Sequence, residues 1–152
     1  MILSPVQLLK SQFVKISVEL RNEPSEPIET SPVELDIEHM THIERHPDAQ
    51  SAENFNSELS YYVLALGIRS AQEKGHAHPY KFEIVVTGII AVDPKQFKPG
   101  NSSDDSAAKF GFSILYGQIR EMMTATTGRM LAGQFVLPTM SFMDEKFPEE
   151  VE

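Results

Sequence analysis

The chain contains no cysteine. That excludes a disulfide framework, a cysteine-ligated zinc site and a cysteine nucleophile, and it is compatible with a reducing compartment. Basic residues are also few: 13 Lys and Arg stand against 22 Asp and Glu, a formal net charge of −9. Nucleic-acid backbones and anionic membrane surfaces are bound by Lys/Arg-rich faces, so neither is expected as a partner, and a basic or mixed partner fits better. No apolar run approaches the length of about 18 residues that a spanning helix needs. The opening MILSPVQLLKSQFVKISVEL lacks a basic region followed by a long apolar core, so neither a signal peptide nor membrane insertion is expected, and the cytoplasm is the expected location. No G-x-x-x-x-G-K-[ST] loop, G-x-G-x-x-G turn or G-x-S-x-G elbow occurs. With no motif behind an enzyme reading, the chain is expected not to be one, and no cofactor is expected.

What the chain does have is apolar material for one core: 152 residues, 41% of them hydrophobic, predict a single domain spanning 1–152. Ser4-Pro5 predicts a short helical turn, Ser as cap and Pro at the first helical position. In FVKISVELR, Val14, Ile16, Val18 and Leu20 alternate with Lys15, Ser17 and Glu19, the period-2 mark of a half-buried strand. After the proline-rich loop NEPSEPIETSP, the stretch VELDIEHMTHIE alternates again. Val33, Leu35 and Ile37 share one face, and Glu34, Asp36 and Glu38 the other. LSYYVLALGIRSAQ and YKFEIVVTGIIAV flank the turn EKGHAHP and predict a hairpin, giving four strands with short connections. The crossover loop DPKQFKPGNSSDD follows, and Asp104, Asp105 or Ser106 is expected to cap a helix. Phe112, Leu115, Tyr116, Ile119, Met122, Met123, Thr126 and Met130 recur at three- and four-residue spacing, so that helix has one wide apolar face. Pro138 keeps it from continuing into QFVLPTMSF. The expected fold class is α+β: a four-stranded antiparallel sheet, a crossover loop and a long C-terminal helix.

His39, His42 and His46 invite a metal reading, but on a strand the three-residue offset of the first two points them to opposite faces, so no metal site is expected. His76 and His78 fall in a Gly/Pro turn. Glu34, Asp36 and Glu38 read as the wet face of a strand, since no His or Lys beside them divides acid from base roles. The distinctive feature is the methionine-bearing helix and the apolar strip after it. One helix covers only part of one sheet face, so a second subunit or a client polypeptide is expected to cover the rest. Methionine suits such a surface because its flexible thioether repacks against many sequences.

The combination ILYGQIREMMTATTGRMLAGQFVLPTMSF, preceded by FEIVVTGIIAV and opened by FVKISVEL, resembles the SecB protein-export chaperone family over residues 11–143. The matching residues are Tyr116, Arg120, Glu121, Leu137, Pro138 and Phe142. The resemblance implies a SecB-like fold and a homotetramer, a dimer of dimers. It also implies an ATP-independent holdase that binds unfolded preproteins for export through the Sec translocase and hands them to its motor, SecA. Carried over residue by residue, it implies a client-binding groove at Val33, Leu35 and Ile37, with an aromatic wall at Phe55, Tyr61 and Phe142, and a SecA-docking face at Glu19 and Glu83. Lys15 stands where the family has an acidic residue, Lys81 where it has an apolar one, and MDEKFPEEVE where it has most of a second helix. These departures bear on delivery to SecA more than on client binding. The helix stripe Leu115, Ile119, Met122 and Met123 is the expected oligomer interface, with helices packed between sheets.

Two further readings are open at this point. One is a specialised SecB-like chaperone that protects one partner, such as the antitoxin of a toxin–antitoxin pair. The other is a pocket protein that takes a small apolar ligand between sheet and helix.

Overall fold

A computed structural model describes residues 1–21, 37–46, 56, 58–71, 79–98, 100 and 102–149. The alternating segments become four strands, β1 (Val6–Leu20), β2 (Ile37–Arg45), β3 (Ser60–Ser70) and β4 (Tyr80–Val92). Among the described residues, a 3₁₀ turn at Pro94–Gln96 leads to one helix, α1 (Ser103–Thr127). Every pairing is antiparallel and the order across the sheet is β1-β4-β3-β2. The fold is therefore α+β, with one sheet and a C-terminal helix. β3 and β4 pair as the expected hairpin, whereas β1 pairs with β4 and not with its sequence neighbour β2. β1 and β2, neighbours in sequence, thus stand at opposite edges of the sheet.

Alternation sets the inside of the sheet. Leu64, Leu66 and Ile68 of β3 and Ile84, Val86 and Ile90 of β4 are fully buried on one face, where α1 and the chain beyond it lie over them. β1 breaks the alternation twice, because register shifts after Leu8 and Phe13 leave Leu9 and Val14 outside the pairing. A bulged residue escapes the inward-outward rule, and Val14, expected on the inner face, is 62% exposed. The helical turn expected at Ser4-Pro5 is absent: the Val6 amide donates to Ser4 Oγ at 3.3 Å and the strand begins there, paired with Val92. One isolated turn has little cooperativity to set against a ladder of strand bonds.

Ser102 caps α1, its hydroxyl accepting from the Asp105 amide at 3.2 Å. The expected caps, Asp104, Asp105 and Ser106, lie inside the helix instead. Both carboxylates face the positive end of the helix dipole and are engaged across the fold. Asp104 accepts from the Tyr62 hydroxyl and pairs with Arg45, and Asp105 accepts from the Phe147 amide at 2.9 Å. The buried face of α1 runs through Ala108, Gly111, Phe112, Leu115, Ile119 and Met123. A Cβ on Gly111 would sit 2.5 Å from Leu64 Cδ2 and 3.0 Å from Ile90 Cδ1, so glycine is what lets the helix approach the sheet this closely.

Beyond α1, residues 133–147 adopt neither helix nor strand, yet their burial alternates. Phe135 and Leu137 point in and Gln134 and Val136 out; past Pro138 the phase shifts, with Met140 and Phe142 in and Thr139, Ser141 and Met143 out. This strap runs back along the helix, from Thr127 beside Phe135 to Asp105 beside Phe147. The strap is extended from Phe135 to Phe142 and then makes a turn at Met143-Asp144, where the Glu145 amide donates to the Phe142 carbonyl at 3.1 Å, before reaching Phe147.

Candidate functional site

Of the residues assigned to a groove, Val33, Leu35 and Phe55 lie outside the described residues. Ile37 opens β2 half-buried, on the helix side of the sheet, opposite Ser70. Phe142 comes to the same side, where its ring meets that of His39 edge-on at 6.5 Å. Phe142 is itself buried, packed on Phe112 at 6.1 Å and Tyr116 at 5.7 Å. Tyr61 takes the other face: it neighbours Ala91 of β4, and its hydroxyl accepts from the Asn56 amide at 2.8 Å. The fold therefore gathers Ile37 and Phe142 and sends Tyr61 behind them, because adjacent residues on a strand point to opposite faces and Tyr62 claims the inner one.

The residues expected at an oligomer interface also separate. Leu115, Ile119 and Met123 are fully buried against the chain's own sheet, which leaves a second copy no surface at these positions. The helix stripe there is core. Met122 is half-buried on the flank, lining a cleft of about 320 Å³ between β1 and α1 with Ser11, Phe13, Gln118, Glu121 and Ala125.

Glu19 and Glu83 both lie on the face of the sheet away from the helix. Glu83 forms an ion pair with Lys15 at 3.1 Å, and Glu19 stands directly opposite Lys81 in the β1–β4 register. Arg69, opposite Glu83 on β3, bonds Glu38 at 2.6 Å. This end of the face alternates in sign instead of forming an acidic patch.

Toward the middle of that face an apolar band runs between Lys10 and Lys15 of β1 and Glu44 of β2. Met40, Val63, Ala65, Val85 and Ile89 form this band across β2, β3 and β4, and none of them belongs to the core cluster. Met40 is 68% exposed. Gly67 keeps the band flat, with Val85 and Met40 flanking the place where its side chain would stand. A cleft of about 180 Å³ borders Val63 and Ile89 beside Lys10, Gln12 and Thr87.

The helix side has a different character, because the trough between α1 and β2 is filled by the strap. The Tyr80 hydroxyl donates to the Gly133 carbonyl, Arg120 Nε to the Leu137 carbonyl at 3.0 Å, and the Tyr116 hydroxyl to the Pro138 carbonyl. In return the Phe135 amide donates to Thr127 Oγ1 at 2.8 Å, and the Phe147 amide to Asp105. Among the described residues, no backbone-to-backbone bond ties residues 135–147 to the sheet or the helix. Burial pushes the Tyr116 hydroxyl up to about 12, with Arg120 pulling the other way, and burial raises Tyr80 as well. Both remain protonated donors at neutral pH. Side-chain donors aimed at carbonyls read a main chain whatever its sequence, while the apolar floor selects its alternate side chains.

At the far end, the Phe147 ring packs edge-on against Tyr62 at 5.9 Å, under the Arg45 guanidinium at 5.6 Å. Sequence reasoning matched Tyr116, Arg120, Leu137 and Pro138 to a family without finding what they do, and it missed Tyr80, Thr127 and Asp105. One signal was present: Phe135 and Leu137, then Met140 and Phe142, alternate like a strand around a proline. His39 and His42 do take opposite faces, the latter 3.5 Å from Glu44. Among the described residues no group of three His, Asp or Glu is arranged for a metal ion, and no helix is long and apolar enough to cross a membrane.

No protein-family model matches the sequence, and no curated protein matches it. Among solved structures, the chain is similar to a SecB-like chaperone of Mycobacterium tuberculosis, solved in complex with a ChAD peptide from an antitoxin. The identity is 14% and the TM-score 0.47, over 90% of this chain and 91% of that one. It is also similar to a protein of unknown function from Streptococcus agalactiae, at 11% identity and a TM-score of 0.49, over 89% of this chain and 97% of that one. Likenesses at this level transfer no residue roles.

Proposed function

We propose that the protein is an ATP-independent holding chaperone that binds unfolded polypeptides and keeps them from aggregating. The observation that carries this reading is the apolar band of Met40, Val63, Ala65, Val85 and Ile89, which lies outside the core on a sheet whose two outer strands, β1 and β2, are edges. An unfolded segment laid there buries alternate side chains, each worth about 1–2 kcal/mol, and its backbone can pair with the edge of an outer strand. Folded proteins offer no such segment. The net charge of −9 favours clients rich in Lys and Arg and keeps the empty protein in solution. Around the β2 edge, Ile37 extends the client surface, with Val33, Leu35 and Phe55 proposed beside it. We place the protein in the cytoplasm as a homo-oligomer, a tetramer built as a dimer of dimers, joined at the Met122 flank of α1.

Two versions of this role differ in the partner. General export through the Sec translocase needs hand-over to SecA at Glu19 and Glu83, whereas a specialised chaperone holds one polypeptide such as an antitoxin. The Lys15–Glu83 ion pair and the Glu19–Lys81 pairing favour the specialised version, because they break up the acidic face that docking would use. The test of the shared role is light scattering from a chemically unfolded reporter enzyme diluted into buffer without nucleotide. Near-equimolar protein should suppress aggregation, and Met40→Asp with Val85→Thr should weaken that suppression at an unchanged melting temperature. A parent protein that leaves the scattering unaltered overturns the reading.

A further inference from the structure

The strap is a polypeptide already seated on the protein. It is extended from Phe135 to Phe142, it buries alternate side chains, and it carries a proline that would interrupt a ladder strand. Its carbonyls at Gly133, Leu137 and Pro138 are held by side chains of Tyr80, Arg120 and Tyr116, not by a neighbouring backbone. We infer that the trough between α1 and β2 is a binding site for an extended apolar polypeptide, and that residues 133–147 are its resident occupant, exchanged for a client segment. The inference rests on the holding-chaperone reading and adds, on the helix side of the sheet, a second client-holding surface to the Met40 band on the other face.

Three features make the occupant exchangeable. Detaching it breaks no strand pairing and no helical bond, since those lie within the sheet and α1. It leaves α1 through a turn that ends at Gly133, whose φ of +83° suits glycine and puts the pivot at the first residue of the strap. Leu137 and Phe142 are buried, so an empty trough would expose apolar floor to water. The strap is therefore given up only to a segment that refills the floor. The ligand class follows: an extended stretch with large apolar or aromatic side chains at alternate positions and an aromatic residue at the end that meets Arg45 and Tyr62.

The strap and an incoming segment compete, so the apparent affinity for the incoming one is reduced by the fraction of time the strap is seated. The probe is a fluorescein-labelled synthetic peptide of residues 133–149, titrated by anisotropy into the full-length protein. Phe147→Ser in the protein weakens only the resident strap and should tighten apparent peptide binding about tenfold. A peptide with Ser in place of Phe135, Leu137 and Phe142 should stay unbound. In the unaltered protein, a saturating isotope-labelled peptide should speed amide exchange in the resident 133–147 while α1 stays protected.

Phe147→Ser protein that binds the peptide no more tightly than the parent, or a resident strap whose exchange is unmoved at saturation, overturns the inference. So does a Phe147→Ser protein that dimerises instead of taking the peptide, which assigns the trough to a second copy's strap. The reporter assay on the same samples keeps the two readings apart. A parent that suppresses aggregation with an immobile strap retains the chaperone role and loses this site; exchange without suppression does the reverse.

Discussion

α1 and the strap lie side by side on the same face of the sheet and bury residues in the same core, but they satisfy their backbones in opposite ways. The helix bonds its own amides to its own carbonyls and brings Phe112, Leu115, Ile119 and Met123 to the sheet as one rigid face. The strap has no ladder, and its carbonyls at Gly133, Phe135, Leu137 and Pro138 accept from side chains of other elements, Tyr80, Thr127, Arg120 and Tyr116. Equal burial therefore does not mean equal permanence. Local opening costs little where few backbone bonds must break, and it costs the whole fold where a cooperative element must go.

The comparison can be broken most severely at α1. Ile119→Asp puts an unpaired charge into a fully buried position and should cost about 4–5 kcal/mol, enough to unfold a domain of ordinary stability. A circular-dichroism melt checks it, and a folded variant with an altered oligomer would return Ile119 to an interface. Leu137→Ala removes the most buried side chain of the strap and should cost about 3 kcal/mol. Amide exchange should then rise in residues 133–147 well before it rises in α1; simultaneous loss would make the two elements one unit.

Gly111→Val forces a side chain onto Leu64 and Ile90 and should cost about 1–3 kcal/mol by overpacking, read as a lower denaturation midpoint. Tyr116→Phe removes one carbonyl donor and should cost about 1 kcal/mol. The same hydroxyl sharpens the comparison through pH. Its value is raised above the ordinary tyrosine value of about 10, so its contribution is complete below pH 10 and is lost as pH rises through about 12. Tyr80, raised by burial, acts in the same direction. Strap amides should lose protection ahead of α1 amides over that interval, and Tyr116→Phe should flatten the dependence. The smallest effect is expected at Glu83→Lys, where an exposed ion pair with Lys15 is lost and the melt should move by less than about 0.5 kcal/mol.

The sequence by itself determined the elements and their faces. Two long apolar runs flanking a turn placed β3 and β4 within a residue or two of where they stand, the period of a strand sent His39 and His42 to opposite sides, and three- and four-residue spacing marked the buried stripe of α1. Those properties follow from the geometry of a single strand or helix, so a short window suffices to read them. The partner of each face was decided only in three dimensions. β1 went to β4 and not β2, Leu115, Ile119 and Met123 turned onto their own sheet, and QFVLPTMSF became a strap along the helix. Burial has no direction of its own: an apolar face gains about the same free energy against a sheet, a second copy or a folded-back segment. Only the full set of competing faces, with the donors of Tyr80, Tyr116 and Arg120 waiting for carbonyls, settles which one covers it.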